Sequence, residues 1–371
     1  MAPAPRQSPT TRRTAVQEPI KRSTDRVAAL GEALVLRSAA VADAELHLAG
    51  AQAELHLAGA QAELHLAGAE ANVAAGLVAW GVPASFVGRL GDDAFGALIR
   101  SELAGRGVDI SAVETDPIRP TGHYYKITAP DEAGELRTES RYSRAGSAAS
   151  AMDPGFLDSA AVASVFGHAA VVHCSGITAA LSDTCLALMH RLVTDRPGIT
   201  GLVSFDVNWR EQLWPDGDPA EVIALADRAD LVLVGGDEAI RVMGTDDPAA
   251  LRRILPNPAT LVIKDGAHRA IAVDRAGATI DVPALSVDVV EPVGAGDAFA
   301  AGFLTGVVRG EDMAACLRRG HLGAAVTLTV VADSAPPPPD ETVHHLLTCS
   351  AREWAATSVT ADGISVQGVS L

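Results

Sequence analysis

The chain has 371 residues, 48% of them hydrophobic, with 34 glycines and 21 prolines, which is enough apolar material for one large core. A formal net charge of −17 excludes the basic face that nucleic-acid binding needs, although a few arginines or lysines can still build a local pocket for an anionic ligand. Cys174, Cys185, Cys316 and Cys349 are widely spaced, without a Cys-x-x-Cys pair, so they disfavour a metal or disulfide framework and suit a reducing cytoplasm; no apolar run reaches the length of a membrane span.

Residues 1–26 are rich in Pro, Thr and Arg and lack the apolar stretch of a secretory signal, so they read as a disordered tail. An organelle import sequence is the alternative reading. GEALVL (31–36) reads as a short buried strand. Next come three nearly identical nine-residue units, AELHLAGAQ, AELHLAGAQ and AELHLAGAE, over 44–70. Units of nine are too short for a solenoid. They also advance an α-helix by about two and a half turns, so successive Leu pairs fall on opposite faces. His47, His56 and His65 recur at the same interval, which is not a metal-ligand spacing. The near-identical units read as a tandem insertion whose ELHL segments could compete for one strand position.

Beyond the repeat, ANVAAGLVAW (71–80) has helical spacing and ASFVGRLG (84–91) is strand-like. DDAFGALIRSELAGRG (92–107) has an acidic start, an apolar stripe and a terminal Gly, as a helix requires. TGHYYKIT and LRTESRYSR alternate as two strands around the turn-forming PDEAGE. From AAVVHCSGI onward, strands alternate with helices through SFDVNWR, DLVLVGG, TLVIKDGA, hairpins over 270–290 and two helices near 295–309 and 311–326. That alternation predicts an α/β fold with a mainly parallel sheet covered on both faces. SAPPPPD (334–340) redirects the chain, and 349–371 is polar and weakly patterned, which predicts a loosely held tail.

The strongest chemical signal is VEPVGAGDAFAAGF (290–303). Gly294, Ala295 and Gly296 can aim successive backbone N–H groups at an anion, and the helix starting there adds its positive end. Asp297 stands in the first turn, where it could take a proton from an attacking hydroxyl. Alone, Gly-Ala-Gly-Asp is equally a tight loop with an N-capping Asp. The stretch, however, resembles the C-terminal signature of the ribokinase-like (PfkB) carbohydrate kinases, D-[TP]-x-G-A-G-D-x-F, and AGAEANVAAGLVAWGVPASFVGRLGDDAFG (67–96) resembles their N-terminal signature.

This resemblance covers the chain from about 27 to 347. It implies a ribokinase-like, doubly wound sheet at 27–348 with a small β-sheet lid from about 37–67 and 118–145. It also implies ATP and Mg²⁺, with a monovalent cation as an open addition. Within the family the chain is similar to the 2-keto-3-deoxygluconate kinases in GEALVL, PTGHYYK, RYSRAGSAAS, HCSGITAALS and SFDVNWREQLW. The implied activity is phosphorylation of a sugar acid's terminal hydroxyl, with fructokinase, ribokinase or a non-catalytic sugar-binding relative as alternatives.

The resemblance further implies substrate contacts at Gly68, Asn72, Tyr124, Tyr142, Arg144, Ile177, Asn208 and Arg210. Tyr142 and Arg144, two apart on a strand, share a face where a guanidinium can fork onto a carboxylate. Arg210 follows the strand that carries Asp206 and Asn208. Lys264 and Gly266 fall in the nucleotide-side segment, and Glu238 matches a carboxylate that supports magnesium through water. IKDGAHR lacks the family's second glycine, Gly235 stands where Asn or Ser is usual, and Glu291 stands where Asp is usual. The partners expected are small molecules, neither nucleic acid nor membrane, and an exposed lid edge suits a homo-oligomer.

Overall fold

Alternating apolar strands and helices assemble into a nine-stranded sheet carrying a separate four-stranded flap. The structure, a computed structural model, describes residues 25–40, 63–130, 136–214, 218–332, 334–366 and 369–370. Strand β1 (Arg26–Leu30) lies within the large sheet, and the chain then leaves it for β2 (Leu34–Ala40) and β3 (Glu63–Ala67) of the flap. It returns with β4 (Ala84–Gly91) and β5 (Val113–Asp116), then crosses again into β6 (His123–Pro130) and β7 (Leu136–Ser143). β8 (Ala169–Ser175), β9 (Leu202–Asp206), β10 (Leu231–Gly235) and β11 (Thr260–Asp265) follow, and β12 (Arg269–Asp274) and β13 (Thr279–Pro283) form one edge. A third sheet joins β14 (Ser286–Val287), β15 (Thr357–Thr360), β16 (Gly363–Val366) and β17 (Val369–Ser370).

The large sheet runs β13-β12-β11-β10-β9-β8-β1-β4-β5, parallel throughout except at β11–β12 and β12–β13. Its order reverses at β1, which pairs with β4 on one side and β8 on the other. Such a switch point opens a crevice beyond the strands' carboxyl ends. The pleat explains the two cores. Val27 and Ala29 of β1 enter one apolar cluster, while Ala28 and Leu30 enter the cluster on the opposite face. Helices cover both faces, giving the doubly wound α/β architecture. Among the described residues no helix is long and apolar enough to cross a membrane.

The flap has the order β3-β2-β6-β7. Its inner face is a small cluster of Leu34, Leu36, Ala67 and Tyr124. In the β6–β7 register Tyr124 stands opposite Tyr142, and the two rings stack at 4.8 Å. The third repeat unit supplies β3, with Leu34 opposite Ala67. The first two units and residues 1–24 lie outside the described residues.

Two expectations require correction. GEALVL is not one strand. Gly31–Ala33 form the passage between β1 in the core and β2 in the flap, and the first core strand is the preceding RVAAL. The passage is tight: a Cβ on Gly31 would lie 2.2 Å from the Glu70 carboxyl carbon. The C-terminal segment is not loosely held as far as residue 366. Ser350 and Glu353 form a capping box for the helix Ala351–Ala355, and the helix buries Trp354. The Trp354 indole N–H donates to the Pro283 carbonyl at 2.8 Å, and β15 pairs with β14 in parallel and with β16. One large aromatic anchors elements too short to show a period. Trp354→Ala should therefore cost about 3–5 kcal/mol in urea unfolding, and a loss below about 1 kcal/mol would contradict the docked arrangement.

Candidate active site

The crevice at the switch point holds a cavity of about 420 Å³. The helix Ala295–Arg309 points its start at it. Gly294 caps that helix in the left-handed region (φ 84°), a conformation that favours Gly. A Cβ on Gly296 would lie 3.9 Å from the Lys264 ammonium, so the bare backbone faces that cation. Lys264, one residue before the end of β11, donates to Asp206, at the end of β9, at 2.8 Å. Burial works against the lysine's charge, but Asp206, Glu238 and Asp297 outweigh it and raise its pKa. The result is a cation beside a helix start, a seat for an anion.

Asp297 borders the same cavity, and the Asn72 amide donates to its Oδ2 at 2.9 Å. Burial pushes the Asp297 carboxyl up to about 7, with Asp206 and Glu70 adding to the rise and Asn72 and Lys264 opposing it. A carboxyl held there can exchange a proton near neutrality. Asn72 was expected to serve substrate hydroxyls; one of its amide hydrogens is committed to Asp297 instead.

The flap supplies Tyr124, Tyr142 and Arg144 to the cavity. The Arg144 guanidinium lies 4.6 Å over the Tyr142 ring and 3.1 Å from the buried Glu32 carboxylate. Ile177, Asn208 and Arg210 line another wall, as does Glu238. Arg210 is half exposed and 3.4 Å from Glu238 Oε1, while Glu238 Oε2 accepts the Gly235 N–H at 2.9 Å. Asn208 is not on the strand with Asp206. β9 ends at Asp206, and Asn208 lies beyond it at φ 38°, with its Oδ1 buried and unpartnered.

Gly68 lines the cavity, but its lack of a side chain serves another contact. At φ 115° a Cβ there would lie 2.3 Å from the Glu32 carbonyl oxygen. Ala295 begins the helix without bordering the cavity, and Gly266 (φ 48°) turns the β11–β12 hairpin outside it. Sequence reasoning missed Glu32, Glu70, Ser147, Ser175 and Thr178. Glu70 is buried and accepts from Ser175 Oγ at 2.7 Å and Thr178 Oγ1 at 2.9 Å. A signal for it existed: Glu70 replaces the Gln of the first two repeat units.

Residues 24–340 match the model of the pfkB family of carbohydrate kinases. The chain is 34% identical over 265 residues to the 2-dehydro-3-deoxygluconokinase of Thermoproteus tenax, covering 68% of this chain and 76% of that one. It is 27% identical over 267 residues to a 5-dehydro-2-deoxygluconokinase of Bacillus velezensis, covering 70% and 78%. Among solved structures, a PfkB protein from Polaromonas sp. JS666 matches with a TM-score of 0.67 and 30% identity, over 84% of this chain and 98% of that one.

The Lys264–Asp206 pair is itself testable. Lys264→Met strands a nearly buried carboxylate and should cost about 3 kcal/mol in urea unfolding, most of it recovered when Asp206→Leu is added. Equal stability of the single variant and the parent would show that Asp206 does not depend on the lysine.

Proposed function

Because the chain belongs to the pfkB family of carbohydrate kinases, we propose that it transfers the γ-phosphoryl group of ATP to the terminal hydroxyl of 2-keto-3-deoxygluconate. The observation that carries this reading is a single cavity lined by Asp297, Arg144 and Arg210 together. A base and two cations suit a substrate with a hydroxyl to activate and a carboxylate to hold. The two curated relatives, both named for dehydro-deoxygluconate substrates, support the sugar-acid class.

In this reading Arg144 and Arg210 hold the acid end, while Tyr124, Tyr142 and Asn208 contact hydroxyls. Asp297 accepts the proton as the substrate oxygen bonds to the γ-phosphorus and the bond to the ADP leaving group breaks. The backbone at Gly294 and Gly296 and the Lys264 ammonium, which line the cavity, face the charge that develops on the phosphoryl oxygens. A magnesium ion would supply neutralisation of phosphate charge here. Among the described residues no group of three or more His, Cys, Asp or Glu could hold a metal ion. The cavity-lining Glu238 is the carboxylate that would support the ion through water.

An ADP-release assay across sugars and sugar acids tests the assignment: the keto-acid should exceed neutral ketoses in kcat/KM, and the reverse order would transfer the assignment to a ketose kinase. Asp297→Asn should lower kcat by about 10³-fold or more with an unchanged circular dichroism spectrum; unaltered turnover would remove Asp297 from the mechanism. Because the base must be unprotonated, kcat should rise as pH passes about 7. The Asn72 hydrogen bond stabilises the carboxylate, so Asn72→Ala should shift that rise to higher pH. An acid limb that stays in place would show that Asp297 does not control it.

A further inference from the structure

Each cation bordering the cavity has a carboxylate beside it: Lys264 with Asp206, Arg210 with Glu238, and Arg144 with Glu32. Arg210 is half exposed, so water can take over from its partner. The Arg144 pair is different, with side chains 12% and 1% exposed. Glu32 sits in the passage between β1 and β2 and is poorly satisfied. Ser147 Oγ donates to its Oε1 over a long 3.4 Å, and its Oε2 meets Arg144 Nη2 at 3.1 Å as an ion pair without hydrogen-bond geometry. Arg144 Nε is buried without a hydrogen-bond partner. Glu32 also has little room to move aside, because even a Cβ on Gly122 would come within 2.9 Å of its Oε1.

The charged and titratable groups around Glu32 come from several elements. They are Arg144 after β7, Glu70 on the helix Ala69–Ala79, and the Cys185 thiol of the helix Asp183–Asp195, which burial keeps protonated. Glu70 is held by two hydroxyls rather than by an ion pair. A substrate carboxylate arriving at Arg144 therefore meets a guanidinium already claimed by a buried anion. Two carboxylates crowding one cation away from water cannot both stay ionised cheaply.

We propose that Glu32 is a positioning residue for the substrate's acid group: it holds Arg144 at the cavity in the free protein and takes up a solvent proton when the substrate carboxylate replaces it on the guanidinium. This rests on the sugar-acid reading above. Burial pushes the Glu32 carboxyl up to about 7, more than Arg144 lowers it, so the proton is accessible near neutral pH.

The test is calorimetric titration of the full chain with 2-keto-3-deoxygluconate, without ATP, in two buffers of different ionisation enthalpy. The parent protein should take up protons on binding at about pH 8 and lose affinity about tenfold per pH unit above neutrality. Glu32→Gln, a permanently neutral stand-in, should abolish the uptake, flatten the pH dependence and bind more tightly than the parent at alkaline pH. Ser147→Ala removes a hydrogen bond that favours the ionised form, so it should move the parent's pH midpoint upward, and it serves if the Gln variant does not fold. Acid binding without proton uptake, or a Gln variant that binds more weakly at every pH with the slope retained, overturns the role of Glu32 alone. No acid binding by the parent at any pH, alongside turnover of a neutral ketose, overturns the sugar-acid reading and this inference with it.

Discussion

The hydrogen bond from Asn72 to Asp297 ties together helices whose residues are 225 positions apart, and the site depends on it. It can form only because the helices Ala69–Ala79 and Ala295–Arg309 pack closely. A Cβ on Gly76 would stand 2.8 Å from the Ala301 methyl. The second helix is held as closely from behind, where a Cβ on Gly302 would meet the Arg319 carbonyl oxygen at 2.4 Å. Small residues bring these backbones together, and the packed interior lets neither helix drift. The bond also favours the ionised Asp297, against a burial effect that alone would raise its pKa further.

An acidic chain with net charge −17 has therefore gathered Arg144, Arg210 and Lys264 around one pocket by local arrangement. Asp206, Glu238 and Glu32 each stand against one cation, so the free cavity is close to charge-paired. Such pairing keeps cations in place where water is scarce, at the cost that an incoming anion must displace or neutralise a resident one. The flap contributes to this balance. Its inner face presents the stacked Tyr124 and Tyr142, and Arg144 lies over the second ring.

Much of the site was legible because its chemistry is local. The turn at 294–296 and Asp297 are contiguous, and Tyr142 and Arg144 are two apart, one on β7 and one just past its end, both lining the cavity. Glu32 was not legible, since a glutamate in an apolar run reveals nothing of the serine that will face it, and only its departure from the repeat's Gln marked Glu70. Gly68 lines the cavity, and what local sequence did not reveal is that its missing side chain also admits the Glu32 carbonyl. Asn208 looked like a strand residue because nothing in SFDVN marks a left-handed turn. The C-terminal segment misled for the opposite reason, its short elements being held by Trp354 and by pairing with a strand about 70 residues away.

The amino-acid sequence by itself determined the α/β class, the alternation of strands and helices, and the glycine-rich turn that sets Asp297 at the start of a helix. All of these follow from periodicity and turn chemistry acting over a few residues. Tertiary structure alone decided which carboxylate faces which cation, that β1 precedes the flap passage, and that the third repeat unit becomes β3. Those outcomes depend on distances between segments far apart in the chain, set by close packing of whole elements, and no local pattern encodes them.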